Sequence, residues 1–214
     1  MNNENSIEGF KVNLEMDMSR SDPNSMDHAE NFVIKMLNKK RNGYYVELGA
    51  YHSQQGSNTY RLEKDYDWKG VSFEINPPWH AEIVKNRKNE CILGDATKFN
   101  YTKYFEENNF PKQIDFLQID IDLGYTESGR PFREDPSLLG LIAIPLNTYR
   151  FSVITFEHDV LSNYKQTSMR DAAREILYSL GYSLVVRLPH EDWWVDSTVI
   201  PYKQYMHHLR MNAQ

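Results

Sequence analysis

The fold of this chain is decided by YYVELGAYHSQQGSNTYRLEKDYDWKGVSFEI, residues 44–75. Two short apolar runs, YYVELGA at 44–50 and GVSFEI at 70–75, enclose a segment that has helical spacing near 56–66. Parallel strands need a crossover of roughly a dozen residues or more, and a helix usually supplies it. The stretch therefore predicts a β-α-β unit.

The same alternation of apolar runs and helical segments continues to residue 158. Right-handed crossovers turn such a series into a doubly wound sheet with helices on both faces. After a helix near 168–180, two apolar runs lie too close together for a parallel crossover, so we expect an antiparallel pair at the sheet edge. The prediction is an α/β, Rossmann-like, mostly parallel seven-stranded sheet with an antiparallel C-terminal edge strand. The other predicted strands are 90–96, 114–121, 151–158, 182–188 and 193–200, and the other predicted helices lie near 27–43, 78–88, 101–108 and 137–146.

Length and composition fit a single folded domain. The 214 residues have a mass of 25.3 kDa, 40% of them are hydrophobic and 25% are charged, which is ordinary for a globular chain. The polar start has no sustained period and predicts a flexible N-terminal arm at 1–26. The folded domain is expected at 27–204 and a C-terminal tail at 205–214.

Charge and cysteine content exclude several classes of protein. A net charge of −6 gives no general attraction to nucleic acid or to an anionic membrane. No stretch approaches the roughly 18 apolar residues of a membrane span, and the N-terminus lacks the basic and apolar parts of a signal peptide. The single cysteine, Cys91, excludes an internal disulfide and a multi-cysteine metal site. We therefore expect a cytoplasmic protein.

Carboxylates mark the carboxyl end of every predicted parallel strand, which is the edge where open α/β sheets bind ligands. Gly49 follows the first strand and allows the backbone to approach a ligand closely. Glu74 ends the second strand, where an acidic side chain usually accepts hydrogen bonds from ribose hydroxyls. The strand-end carboxylates are Glu47, Glu74, Asp95, Asp120 with Asp122, and Glu157 with Asp159.

These residues favour a cationic nucleoside as the ligand. A pyrophosphate would be repelled by Glu47 and would need the glycine pattern G-x-G-x-x-G, which this chain lacks. S-adenosylmethionine carries a sulfonium, an ammonium and a ribose, and it suits an acidic pocket. Ser57 and Asn58 can cap the helix after the first strand, with the positive end of its dipole toward the ligand. For Gly49 by itself, the alternative is a plain strand-to-helix turn.

Five motifs follow one another along the chain. They are YYVELGAYHSQQGSNTYRLEKDYDWKGVSFEINP at 44–77, GDAT at 94–97, IDFLQIDID at 114–122, RFSVITFEHD at 150–159 and EDWWVD at 191–196. As an ordered set they resemble FkbM-type S-adenosylmethionine-dependent methyltransferases, a branch of the class I methyltransferase fold. The resemblance covers about residues 28–200.

This resemblance implies roles for individual residues. It implies that the end of the first strand contacts the methionine and ribose of the cofactor, that Glu74 binds the ribose hydroxyls and that Asp95 with Ala96 contacts adenine. Asp120 is implied beside the methyl group at the reaction centre. The chain departs from the common D-x-G-x-G motif at Tyr51, which stands where the second glycine would be. The predicted cofactor-binding residues are Glu47, Gly49, Ala50, Ser57, Asn58, Glu74, Asn76, Asp95, Ala96 and Asp120.

The ends of the fourth and fifth strands supply the predicted reaction centre. Asp120, Asp122 and His158 are the predicted catalytic residues, with His158 or a carboxylate as the base that takes a hydroxyl proton. Carboxylates beside an imidazole also suit a divalent cation, so Asp120, His158 and Asp159 are a predicted site for magnesium or manganese. The alternative is that these side chains act without a metal or only bind loop backbone. The loop-like segment 123–136 follows the fourth strand at the place of a substrate lid.

Three further expectations concern aromatic and histidine side chains. His52 lies in the loop after the first strand, within reach of a ligand, whereas His190 is expected at the surface. Trp193 and Trp194 should point to opposite faces of the last strand, with at least one of them in the core.

The predicted function is S-adenosylmethionine-dependent O-methylation of a hydroxyl on a sugar, a glycoconjugate or another small polar acceptor. The acceptor class comes from the resemblance alone, since composition and spacing do not point to sugars. One alternative is a catalytically inactive nucleoside-binding module on the same fold. The other is an NAD-dependent oxidoreductase, which is disfavoured because the glycine-rich phosphate turn is absent.

Overall fold

The computed structural model describes residues 28–122, 136–158 and 167–210. The predicted arm at 1–26, the predicted lid up to residue 135 and the predicted metal ligand Asp159 lie outside these ranges. The strands are β1 (Tyr44–Leu48), β2 (Lys69–Glu74), β3 (Glu90–Leu93), β4 (Gln113–Ile119), β5 (Arg150–Glu157), β6 (Tyr182–Arg187) and β7 (Glu191–Asp196). The helices are α1 (His28–Met36), α2 (Tyr60–Tyr66), α3 (Pro77–Asn86), α4 (Tyr101–Glu107), α5 (Pro136–Ala143), α6 (Thr167–Ser179) and α7 (Tyr202–Arg210), and a short 3-10 helix spans Ala96–Lys98.

The seven strands form one sheet in the order β3-β2-β1-β4-β5-β7-β6, which confirms the predicted fold class. The strands β1 to β5 are parallel, and β7 is antiparallel to both β5 and β6. The predicted antiparallel pair therefore lies at the edge, but the outermost strand is β6. After α6 the chain forms β6 at the outer edge of the sheet. The hairpin that follows then places β7 between β5 and β6.

Helices cover both faces of the sheet and bury a separate apolar core on each. The helices α4, α5 and α6 pack on one face, and α1, α2 and α7 pack on the other. Trp194 belongs to the first core and Trp193 to the second, because neighbouring strand residues point to opposite faces. Both tryptophans are buried, which confirms their predicted placement. Within the ranges given above, no helix has the length and apolar character to span a membrane.

The strand order reverses at β1, which lies between β2 and β4. The backbone N–H groups of Gly49 and Ala50 each donate to the carbonyl oxygen of Phe73 at 3.1 Å, and the N–H of Asp120 donates to the carbonyl oxygen of Leu48 at 2.9 Å. These bonds hold the ends of β1, β2 and β4 side by side. The chain leaves β1 and β4 in different directions, and a crevice opens where open α/β sheets bind ligands.

Candidate functional site

A cavity of about 820 Å³ lies at the carboxyl ends of the parallel strands. Its wall comes from the loops after β1, β2, β3 and β4, from the end of β5 and from the start of β7. Among the residues that the structure describes, this wall carries carboxylates and histidines but no lysine or arginine. The carboxylates are Glu74, Asp95, Asp120, Asp122, Glu157 and Glu191.

Glu74 is fixed in orientation by two backbone groups. Its Oε2 accepts a hydrogen bond from the N–H of Tyr51 at 2.8 Å, and its Oε1 accepts one from the N–H of Asn76 at 2.7 Å. Tyr51 has a left-handed backbone with a φ of 54°, which turns the loop after β1 toward β2. Each carboxylate oxygen has a second acceptor site, so Glu74 is able to receive hydroxyl donors from a ligand as well.

An aromatic cluster stands beside Glu74 on the cavity wall and consists of Tyr51, His52 and Trp79. The ring centroids of Tyr51 and Trp79 are 5.0 Å apart, and those of His52 and Trp79 are 4.1 Å apart. Asn76 caps α3 by accepting from the N–H of Trp79 at 3.5 Å. Aromatic faces attract cations and stack on flat bases, so the cluster suits a cationic nucleoside. The expectation for His52 agrees with its place on the wall, whereas Tyr51 and Trp79 were not predicted as site residues.

The turn after β3 forms the next part of the wall. Asp95 Oδ1 accepts from the N–H of Thr97 at 3.1 Å and from its hydroxyl at 2.7 Å, which caps the 3-10 helix. The N–H of Gly94 donates to the carbonyl oxygen of Glu74 at 3.0 Å and ties this turn to β2. Asp95 and Ala96 both line the cavity.

Glu47 and Ser57 lie behind the wall and are absent from the cavity lining. Glu47 Oε2 accepts from the hydroxyls of Thr59 at 2.8 Å and Ser72 at 2.6 Å, and burial raises the pKa of this carboxyl. Ser57 Oγ accepts from the N–H of Tyr60 at 3.1 Å and so satisfies one donor at the start of α2, but the N-cap position belongs to Thr59 and not to Ser57 or Asn58 as predicted. Neither the side chain of Glu47 nor that of Ser57 is therefore placed to contact a ligand in the cavity directly. The other eight predicted cofactor-binding residues line the cavity: Gly49, Ala50, Asn58, Glu74, Asn76, Asp95, Ala96 and Asp120.

The predicted catalytic residues are brought together only in part. Asp120 and Asp122 line the cavity, but His158 does not and is 1% exposed. His158 Nε2 lies 3.8 Å from Asp192 Oδ1, and Asp192 does not line the cavity either. The imidazole on this part of the wall belongs to His190, whose carbonyl oxygen accepts from the N–H of His158 at 2.7 Å. His158 follows the last residue of β5 and is buried off the cavity lining, so its role as the base stays a prediction.

His190 and Glu191 line the cavity without having been predicted as site residues, because they do not follow a parallel strand. The strand β7 runs antiparallel, so its first residues lie at the same edge as the last residues of its neighbours. Glu191 pairs in register with Glu157, and both side chains line the cavity. The signal that was available in the sequence is the HED run immediately before the tryptophan pair.

The predicted metal ligands do not form a cluster in the part of the chain that is described. Within 28–122, 136–158 and 167–210, no group of three or more His, Cys, Asp or Glu side chains is arranged to hold a metal ion. His158 faces Asp192, and Asp159 lies outside these ranges. The site for magnesium or manganese stays a prediction.

A buried ion pair anchors the start of β7 to α6. Arg174 donates from Nε to Asp192 Oδ2 at 2.7 Å and from Nη2 to Oδ1 at 2.8 Å. Burial by itself would raise the pKa of Asp192, but the hydrogen bonds from Arg174, together with the nearby imidazole of His158, outweigh it and lower the pKa. The pair stabilises the ionised carboxylate and holds the strand that presents Glu191.

This pair predicts a pH-dependent stability. A carboxylate with a lowered pKa in the fold stabilises the protein above its unfolded pKa of roughly 3.9, and the stabilisation is lost as the pH falls through the folded pKa. The variant Asp192→Asn is therefore expected to be less stable than wild type at pH 6, with the difference shrinking below about pH 4. Urea unfolding from pH 6 to pH 3 measures this. A difference that is the same at both ends contradicts it.

No protein-family model matches this sequence, and no curated protein matches it significantly. Solved structures do match the fold. A candidate caffeoyl-CoA O-methyltransferase from Staphylococcus aureus has a TM-score of 0.53 and 12% identity, over 79% of this chain and 83% of its own. An O-methyltransferase from Bacillus cereus in complex with S-adenosylhomocysteine (SAH) has a TM-score of 0.51 and 16% identity, over 81% and 82%. A candidate rRNA methylase from Clostridium thermocellum has a TM-score of 0.50 and 14% identity, over 82% and 98%.

These likenesses concern the fold. A mixed seven-stranded sheet with helices on both faces and an antiparallel strand inserted beside the outermost one is the Rossmann-like class I methyltransferase fold. This chain has that fold, as the resemblance of its motifs predicted. The cavity lies at the point where the strand order reverses, and it is the candidate functional site of this fold.

Proposed function

We propose that this protein is an S-adenosylmethionine-dependent methyltransferase of the FkbM type, with residues 27–204 as its methyltransferase domain. The observation that carries the proposal is the orientation of Glu74, which two backbone N–H groups hold on the wall of the switch-point cavity. An acceptor carboxylate in this place suits a ribose diol. The fold supports the proposal, and so does the Bacillus cereus neighbour that contains SAH.

The donor set of the cavity fits this cofactor. The described wall carries six carboxylates and no lysine or arginine, which favours a ligand with a sulfonium and an ammonium over one with a pyrophosphate. All four residues to which the resemblance gives adenine and methionine contacts line the cavity, so we assign adenine to Asp95 and Ala96 and the methionine part to Gly49 and Ala50. The aromatic cluster of Tyr51, His52 and Trp79 adds ring faces beside Glu74.

The reaction that we propose is O-methylation. When bound, the cofactor supplies an electrophilic methyl group on its sulfonium. Either Asp120 or Asp122 would accept the one proton of the acceptor hydroxyl, with Asp120 as the proposed base, and Glu157 and Glu191 would shape the acceptor side of the cavity. Holding the acceptor oxygen in line with the methyl group supplies most of the rate enhancement, and a positioned base contributes roughly 10²–10⁴-fold.

A small polar hydroxyl acceptor, such as a sugar or a glycoconjugate, is the proposed substrate. The sugar assignment rests on the motifs at 44–77 and 114–122 that resemble the FkbM type. A phosphate-rich acceptor such as RNA is disfavoured, because the net charge is −6 and the described wall is acidic. The cytoplasm is the proposed location, since one cysteine excludes internal disulfides.

Calorimetric titration tests the cofactor. We expect micromolar binding of S-adenosylmethionine and SAH and no binding of NAD, each measured with and without magnesium. Binding of NAD alone would point to an oxidoreductase. Binding of both sulfur nucleosides without methyl transfer to a panel of sugars, glycoconjugates and small hydroxyl compounds would point to an inactive nucleoside-binding module. Failure of both to bind would overturn the proposal.

The variant Glu74→Gln is expected to weaken cofactor binding by about 10- to 100-fold. The amide replaces one acceptor oxygen with an NH₂ group, which meets the N–H of Tyr51 or Asn76 and can no longer accept a ribose hydroxyl. Glu90→Gln is the matched control, because Glu90 begins β3 and accepts from the Tyr104 hydroxyl away from the cavity wall. Equal affinities of the two variants for S-adenosylmethionine would rule out the role of Glu74.

A further inference from the structure

A buried arginine lies directly behind the loop that follows β1. We call residues 49–59 the cofactor loop. Arg87 comes just after α3, is 8% exposed and does not line the cavity. A guanidinium carries five N–H donors in a rigid planar fork, and burial requires that these donors find acceptors. The acceptors of Arg87 therefore show which parts of the chain it holds together.

Three of the five hydrogen bonds of Arg87 go to the cofactor loop. Its Nη1 donates to the backbone carbonyl oxygen of Ser53 at 3.3 Å and to Ser57 Oγ at 3.1 Å. Its Nη2 donates to Thr59 Oγ1 at 2.9 Å. The loop therefore depends on one side chain from another element at three separate points.

The other two hydrogen bonds fix the guanidinium itself. Its Nε donates to Glu63 Oε2 in α2 at 3.0 Å, and Nη2 donates to the hydroxyl of Tyr45 in β1 at 3.0 Å. The Glu63 carboxylate also accepts from the N–H of Lys88 at 2.8 Å. Arg87 is thus held by a strand and a helix, and all five donors of the fork are used.

The loop atoms that accept from Arg87 lie behind the cavity wall. They are the backbone carbonyl oxygen of Ser53 and the hydroxyls of Ser57 and Thr59, and none of these three residues lines the cavity, whereas most other residues of the loop do. Thr59 also donates to Glu47 Oε2 at 2.8 Å, which extends the network under the end of β1. The wall residues of the loop are Gly49, Ala50, Tyr51, His52, Gln55, Gly56 and Asn58.

We propose that Arg87 is a positioning residue for cofactor affinity: it holds the cofactor loop in its binding conformation without touching the ligand. The inference rests on the proposed function for the identity of the ligand. A loop without regular structure loses conformational freedom on binding unless other contacts have already ordered it. The hydrogen bonds from Arg87 order the cofactor loop in the ligand-free protein, so less conformational entropy is lost when the ligand binds. A lysine at this position would have a single compact ammonium. It could not reach all three loop acceptors at once, as the planar guanidinium of Arg87 does.

The test compares Arg87→Lys with wild type. We expect the dissociation constant for S-adenosylmethionine to rise about tenfold or more, because charge-assisted hydrogen bonds that order the loop are lost. In the ligand-free protein, amide hydrogen exchange of residues 49–59 should become faster while β4 and β5 stay protected. The acceptor KM should change less than the cofactor KM, since the wall formed by β5 and β7 does not contact Arg87.

Arg150→Lys is the matched control. Arg150 is partly buried, whereas Arg87 is fully buried, and it likewise donates from two guanidinium nitrogens: from Nε to Asp196 Oδ2 at 2.7 Å and from Nη1 to the carbonyl oxygen of Leu180 at 3.0 Å. It is the first residue of β5 and lies at the opposite end of the sheet from the cavity. We expect this variant to lose thermal stability and to keep the wild-type affinity for S-adenosylmethionine.

Three outcomes are decisive. Wild-type affinity and unchanged loop exchange in Arg87→Lys would overturn the positioning role even if the cofactor binds as proposed. Failure of wild type to bind S-adenosylmethionine and SAH would overturn the proposed function, while the exchange measurement on ligand-free protein would still decide the role of Arg87. If Arg87→Lys does not fold, Thr59→Val replaces it, with an expected rise of about three- to tenfold in the dissociation constant; no rise would overturn the inference.

Discussion

Replacing Gly49 with alanine is expected to destabilise the fold by about 2–5 kcal/mol and to abolish cofactor binding at the same time. Gly49 has a φ of +84°, which costs a non-glycine residue about 1–2 kcal/mol. A Cβ built at this position would lie 1.8 Å from the carbonyl oxygen of Asp120 and 2.8 Å from its carbonyl carbon. Both atoms belong to the backbone, so the ends of β1 and β4 must move apart to admit one methyl group.

Gly56→Ala is the control that separates the two causes. Gly56 lies in the same loop with a φ of +74°, and a Cβ there would meet no described atom within 4 Å. We expect this variant to show only the conformational cost of about 1–2 kcal/mol. Urea unfolding measures both free energies, and titration with S-adenosylmethionine measures both affinities. Equal losses of stability in the two variants would show that close packing of β1 against β4 is not what requires Gly49.

The variant Asp120→Asn is expected to reduce methyl transfer by roughly 10²–10⁴-fold while changing the dissociation constant of the cofactor less than about threefold. Asparagine keeps the shape of the side chain but cannot take a proton. The backbone of residue 120 is held by its N–H bond to Leu48 at 2.9 Å, so the substitution leaves the strand in place. A single-turnover assay with the acceptor panel measures the rate, and calorimetry measures the affinity.

Two other aspartates serve as comparisons for this variant. Asp122→Asn shows which of the two cavity carboxylates takes the proton, because both side chains line the same part of the wall. Asp171→Asn is a neutral control in α6, where Asp171 is exposed and pairs with Arg170. Turnover of Asp120→Asn within about threefold of wild type would refute the proposed base.

The proposed cofactor side of the cavity, formed by the ends of β1, β2 and β3, was largely predictable because it depends on local features. Glu74 and Asp95 each end a short apolar run, and the carboxyl ends of parallel strands meet at one edge whatever the details of packing. The structure places both on the cavity wall. Glu47 shows the limit of this argument, because the alternation within β1 turns its side chain toward Thr59 and Ser72.

The acceptor side was less predictable because it depends on strand order. His158 directly follows β5, as a ligand-binding residue would, yet it is buried off the cavity lining, with Nε2 3.8 Å from Asp192 Oδ1 of the neighbouring strand. His190 and Glu191 reach the wall only because β7 inserts between β5 and β6. Nothing in the spacing of the last two apolar runs distinguishes this order from the one with β7 outermost.

The sequence by itself determined the class of fold and the acidic character of the binding edge. Both follow from patterns read over a few residues: period-two and helical spacing, crossover length, and the residue type at each strand end. The tertiary structure decided which of those carboxylates face the cavity, which histidine stands on its wall, and that Arg87 holds the loop across a sequence separation of 28 to 34 residues. The physical reason is that side-chain direction and long-range hydrogen bonds are set by packing between elements, and that packing has no local pattern in the chain.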